Sequence, residues 1–274
     1  MELTALGTDI SSLEQAFNKR ECNIRIWLTR AGTFGKKLHD CFFIDLNPRH
    51  IQLDELWANV KRAGKETWVW TAVDAKTKII AVLKIGERNL LTAYSVAHEL
   101  KSRLLPRCVP VFSTDGLKNY FYVLTPHFGE WHSEPGEKKP QWLLHPDFLY
   151  AQVIKNLRGF RLVGVEHRLI WGNPQEYIER LKADGLSGCI NTAFVERLNL
   201  TIRRGISKLM RRTWSTAQSV PALEAHVYWW LAYYHFARSQ SALQGMKVCV
   251  SNWTSRLHER ASNCQGSTRR LPQP

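Results

Sequence analysis

The chain has 274 residues, 44% of them hydrophobic and 11 of them Trp, and carries 38 Lys and Arg against 24 Asp and Glu, a formal charge of +14. That is apolar material for one large domain with appendages, and a balance so basic points to a polyanionic partner, nucleic acid above all. The cysteines (22, 41, 108, 189, 249 and 264) include no C-x-x-C pair, which argues against a zinc ribbon or disulfide framework and for a reducing cytosol, while "MELTALGTDI" carries no signal-peptide pattern and no apolar run reaches about 18 residues, so neither secretion nor a membrane span is expected.

Residues 11–30, "SSLEQAFNKRECNIRIWLTR", predict two short helices, with Ser11 and Glu14 as a capping box. Ile24, Trp27 and Leu28 recur at helical spacing, and the break at "NKREC" suits a helix-turn-helix. "GTFGKKLHD" follows as a Gly-punctuated basic linker. Three strand candidates come next, at 50–60, 67–77 and 78–87, the last two meeting in a hairpin turn at "DAKTK". Residues 90–105 form an amphipathic pattern stopped by Pro106, and "VPVFSTDG" is a short buried strand. The order is thus β-β-β-α-β, with Asp115 closing the fourth strand.

"GEWHSEPGEKKPQW" is polar and rich in Pro and Gly, as loops are. A fifth strand is expected within 160–172, a short helix in "NPQEYIERLKADG" stopped by Gly185, and a helix over 191–213 capped by Thr192. A last helix spans 221–243, and a basic polar tail fills 245–274.

Three acids stand on three of these elements. Asp54 is mid-strand, where a carboxylate is costly unless paired or bound to metal. Strand neighbours point to opposite faces, so Asp54 and Glu55 are not expected in one site. Asp115 sits at a strand end, where Asp-Gly is also plain turn chemistry. Glu196 lies early on the 191–213 helix, sharing a face with Asn199 and Arg203. Sixty residues separate Asp54 from Asp115, and eighty separate Asp115 from Glu196. From Arg197 to Arg212 there are six basic residues and no acid, which reads either as a solvated helix face or as contact with a DNA backbone. Asp74 belongs to the hairpin turn, and no histidine shows metal-ligand spacing.

"IQLDELW", "STDGLKNY" and "FVERLNLTIRRG" resemble the three acidic motifs of the DDE transposases of bacterial insertion sequences, of the insertion-sequence-one type. The resemblance covers roughly residues 20–240. It implies an α/β ribonuclease H-like fold, a mixed sheet flanked by helices over 41–244, with a partial helix-turn-helix segment over 1–40. It also implies that Asp54, Asp115 and Glu196 are catalytic and bind two Mg²⁺ or Mn²⁺ ions, Asp54 bridging them. Such ions prefer hard oxygen donors and can activate the attacking oxygen and stabilise the leaving one. The family places a basic residue where Arg203 stands; Arg203, Arg204, Lys208 and Asn199 are the expected DNA contacts. Transposon ends and target DNA are the implied partners, bound by a homo-oligomer in the bacterial cytoplasm. The chain departs from the family before "NIRIWLTRAG", where little of the DNA-reading module precedes, and after Arg238, where Ser239-Gln240 replaces the usual continuation, as in a truncated copy. The same triad would equally serve a nuclease that only hydrolyses, and the same fold a DNA-binding relic without activity.

Overall fold

Runs of mostly buried side chains, packed on both faces, build the centre of the main sheet. Its first three strands, β1 (His50–Ala58), β2 (Thr67–Asp74) and β3 (Ile80–Gly86), run antiparallel in sequence order. The turn between β2 and β3 is closed by Asp74, whose Oδ2 accepts from the Thr77 backbone N–H (3.1 Å) and hydroxyl (2.6 Å). Helix α4 (Leu90–Arg103) then crosses over to β4 (Val111–Asp115), which lies parallel to β1. A short helix, α5 (Asn119–Leu124), and a small ribbon of β5 (Gly129–His132) and β6 (Gln141–Leu144) lead to β7 (Leu149–Arg158), parallel to β4. β8 (Arg161–Trp171) returns antiparallel to β7 and completes a six-stranded sheet of order β3-β2-β1-β4-β7-β8. The computed structural model describes residues 1–238 except 62, 63, 65, 134–138, 160, 212 and 214.

Helices cover both faces. Ile51, Leu53, Trp70 and Ala72 pack on Val96 and Leu100 of α4 and Tyr120 of α5. The alternate side chains Leu56, Val69, Val73 and Leu83 pack on α7 (Ala193–Gly205) and α8 (Val220–Phe236). Between β8 and α7, α6 (Pro174–Ala183) lays Tyr177 and Leu181 on Val111, Leu149 and Ala151. Among the described residues no helix is long and apolar enough to cross a membrane.

The N-terminal region differs from its sequence reading. After a single turn, α1 (Glu2–Ala5), helix α2 (Ile10–Phe17) is capped by Asp9, not by a Ser11–Glu14 box. The Asp9 carboxylate accepts from Ser12 N (2.9 Å) and Ser12 Oγ (2.7 Å), and Glu14 instead takes the backbone N–H of Glu21 (3.0 Å). The "GTFGKKLHD" stretch is no linker: α3 runs unbroken over Glu21–Phe42, across the expected boundary at residue 40. Its buried stripe is Ile24, Leu28, Gly32, Gly35 and His39, and the two glycines lie against α8. A Cβ on Gly32 would sit 2.1 Å from the Ala225 carbonyl oxygen, and one on Gly35 2.4 Å from that of Tyr228. Glycine is there for close backbone approach, not for flexibility.

Three further corrections follow the chain. The stretch expected to be loop contains β5 and β6, and the strand next to β4 is β7, with β8 outside it. The 191–213 helix stops at Gly205, where Ile206 turns to extended backbone; glycine is needed there because a Cβ would meet Trp230 Nε1 at 2.1 Å and the Ala5 carbonyl at 2.9 Å. The chain continues as a 3₁₀ turn over Ser207–Leu209, so Lys208 and Arg211 do not share α7, and Arg212 lies outside the described residues. Helix α8 ends at Phe236; the expected extension to 243 and the 245–274 tail lie outside the described residues beyond 238.

Candidate functional site

β1 outlasts its neighbour. It pairs with β4 from His50 opposite Val111 to Leu53 opposite Thr114; β4 then ends at Asp115 while β1 continues to Ala58. The gap so opened has Asp54 on one side and Asp115 on the other. Asp115 Oδ1 accepts the Leu117 backbone N–H (3.1 Å), so the turn at Gly116 fixes the carboxylate, and its turn role and its site role coincide. β1 also docks the third acid. Gln52 Oε1 accepts the N–H groups of Phe194 (3.1 Å) and Val195 (3.0 Å) at the start of α7, and Gln52 Nε2 donates to the Asn191 carbonyl (2.9 Å). Gln52, rather than the expected Thr192, satisfies that helix end. Glu196 follows on the next turn. Asp54, Asp115 and Glu196 line one cleft of about 650 Å³, with Arg88, Lys118, Lys155 and Leu157 among its walls.

Each carboxylate is held. Asp54 Oδ2 accepts from Asn199 Nδ2 (2.8 Å), and Asp54 Oδ1 from the Glu55 N–H (2.9 Å). Glu196 Oε1 accepts from the Thr192 hydroxyl and from Lys155 Nζ, both at 2.7 Å. Glu55 was expected to face away, and its stem does: its side chain is 1% exposed and lies under Tyr120, whose hydroxyl is 3.4 Å from Oε2. Its carboxylate nevertheless joins the site. One oxygen each from Asp54, Glu55 and Asp115 lie within 4.8 Å of one another. Asp54 and Glu55 still leave β1 on opposite faces, toward Asn199 and Tyr120; β4 pairs with β1 only to Thr114, so no strand stands between their carboxylates and Asp115. Arg88, just after β3, binds Glu55 Oε1 through Nε (3.1 Å), sits 3.7 Å from Asp115 and stacks over the Trp68 ring at 4.9 Å.

Crowded carboxylates resist ionisation. Burial first, then the Asp115 and Glu196 charges, push the Asp54 carboxyl up to about 7. Burial raises Glu55 and Asp115 as well. An acid with a raised folded pKa holds its proton in the folded state between about pH 4 and 7 and not in the unfolded state, so stability falls as pH rises through that window. In chelator, wild type should lose of order 2 kcal/mol more than Asp54→Asn between pH 4.5 and 7.5. Parallel stability curves for the two proteins, from urea unfolding, would contradict this. The same excess of negative charge and the oxygen donors could hold a metal ion.

The expected DNA contacts divide. Asn199 is 7% exposed and its amide donates to Asp54, so it orients a carboxylate. Lys208 is 5% exposed, donates to the Ala222 carbonyl (3.4 Å), and burial followed by the Arg25 charge pushes its pKa down to about 8; it is not the surface cation expected. Arg203 is half-buried, donates to the Leu209 carbonyl (3.1 Å) and lines a separate pocket of about 250 Å³ with Trp57, Lys208 and Arg211. Arg204 is exposed.

Gln52, Glu55, Arg88 and Lys155 escaped the sequence reading. Gln52 alone left a signal, a polar residue two before Asp54 on the same buried face. No protein-family model matches the chain, and no curated protein matches it.

Proposed function

We propose that this protein is a metal-dependent DNA strand-cleaving and strand-transferring enzyme of the DDE transposase type, with Asp54, Asp115 and Glu196 as its catalytic carboxylates. The observation that carries the reading is that those three acids, from β1, β4 and α7, line one cleft; Asp54 and Asp115 lie with Glu55 in the group close enough to share an ion, and Glu196 stands outside that group. The strand order β3-β2-β1-β4-β7, antiparallel over the first three and parallel from β1 to β7, supports a ribonuclease H-like fold with β8 added at one edge.

Asp54, Asp115 and Glu196 would hold two Mg²⁺ or Mn²⁺ ions, and bound ions of this kind activate the attacking oxygen and stabilise the leaving one. The remaining work falls to the chain. Asn199 fixes the rotamer of Asp54, and the Leu117 N–H fixes Asp115. Lys155 and Arg88 balance Glu196, Glu55 and Asp115 before cations arrive. Lys118 and Lys155 at the cleft, with exposed Arg197 and Arg204 on α7, offer phosphate contacts beside the acids.

The test is nicking of supercoiled plasmid by the full chain. Mg²⁺ or Mn²⁺ should support it, and chelator should stop it. Joining of a labelled 3′-end to the plasmid would support transfer; nicking without joining would mark the hydrolysis-only nuclease. No cleavage with either metal on any duplex, despite DNA binding, would leave a DNA-binding relic.

A further inference from the structure

β8 is the outer strand of the sheet, and among the described residues no other strand pairs with its free edge. β4 pairs with β7 only as far as Val153, so residues 154–158 and 161–166 project as a two-stranded ribbon. That ribbon exposes Leu157 (64%), Leu162 (51%), Val163 (64%) and Val165 (44%). A lone ribbon is marginal in water. A long edge with apolar side chains and no covering element is a template for another strand.

The sequence of the edge says which strand. Between two bulges, Gly164–Leu169 runs in unbroken register against Asn156–Ala151. Laid antiparallel against itself with His167 at the centre, this run sets Glu166 opposite Arg168 of the second copy, twice by symmetry, and Val165 opposite Leu169. Opposite-charge and apolar cross-strand pairs are what stabilise sheet pairing. Centring instead on Glu166 or Arg168 brings like charges face to face, and centring between residues sets Val165 against Arg168 or Glu166 against Leu169. One register is therefore self-complementary, as a twofold interface requires.

We propose that the free edge of β8 joins two copies of this chain by antiparallel β8–β8 pairing about His167, making one continuous sheet from both. Glu166 and Arg168 already form an exposed pair within each chain, at 2.7 Å. Disturbing that pair alone has little effect on folding, so the oligomeric state reports the contact between copies.

The test is sedimentation velocity of the full chain over a concentration series, without DNA or metal. Wild type should show a dimer that dissociates on dilution. Glu166→Arg and Arg168→Glu should each weaken it about tenfold or more, because each sets like charges opposite one another at both symmetric positions. An equimolar mixture of the two variants should dimerise as wild type does, since every altered residue then faces its opposite. Wild type remaining monomeric at every concentration, single variants dimerising normally, or a mixture that stays monomeric would each overturn the proposal.

Discussion

Asp115→Asn should reduce metal-dependent strand cleavage by about a thousandfold, the rate equivalent of about 4 kcal/mol of transition-state stabilisation. The substitution keeps shape and keeps an oxygen to accept the Leu117 N–H, so the turn into α5 survives. It removes one negative charge from a cluster where charges already oppose one another, so the metal-free fold should be unharmed or slightly more stable. Arg88 retains Glu55 as its partner. What is lost is a carboxylate ligand and nothing else of consequence. On the proposed function, DNA affinity should change little, since Asp115 itself would make no phosphate contact. Single-turnover nicking and a thermal melt in chelator, measured on the same preparation, separate the two effects. Cleavage within tenfold of wild type would remove Asp115 from the chemistry.

Gly32→Ala should destabilise the fold by about 2–3 kcal/mol, despite the usual preference of helices for alanine. In an open helix that change stabilises by about 1 kcal/mol. Here the new methyl would meet the backbone of α8 on three atoms, with Ala225 O at 2.1 Å, Cα at 2.5 Å and C at 2.6 Å. Backbone cannot swing aside as a side chain can, so the two helices must move apart and loosen contacts along their length, a cost typical of overpacking. For a domain of this size the melting temperature should fall by about 5–10 °C. A rise in melting temperature would mean that α3 does not lie against α8 as described.

This contact also explains what the sequence concealed. Gly32, Thr33 and Gly35 are poor helix formers, and the reason for them sits nearly two hundred residues away on α8, so local propensity could only read a linker. β7 was hidden differently: Leu149–Val153 is buried while Lys155 to Arg158 is exposed and, but for Leu157, polar, and no single period spans it. β5 and β6 are four residues each around a Pro- and Gly-rich stretch. β1 was legible by its alternation, and β2 to β4 because β-branched and aromatic residues are frequent in them. Of the candidate site, Asp54, Asp115 and Glu196 were legible as acids whose positions on strand, strand end and helix matched motif strings. Glu55 was set aside because it alternates with Asp54, as it does; what the sequence hid is that β4 ends at Asp115 and lets carboxylates from both faces meet there. Lys155 could not be found without β7, nor Asn199's true partner without the packing of α7 on β1.

The central claim is that Asp54, Asp115 and Glu196 form one centre for divalent cations. Anomalous diffraction from crystals grown with Mn²⁺ tests it most directly. The account predicts Mn²⁺ bound to carboxylate oxygens of Asp54 and Asp115 at about 2.1 Å, a second ion drawing Glu196 away from Lys155, and Arg88 keeping its bond to Glu55. Mn²⁺ peaks elsewhere in the crystal, with Lys155 still on Glu196 and none in the cleft at saturating metal, would contradict it.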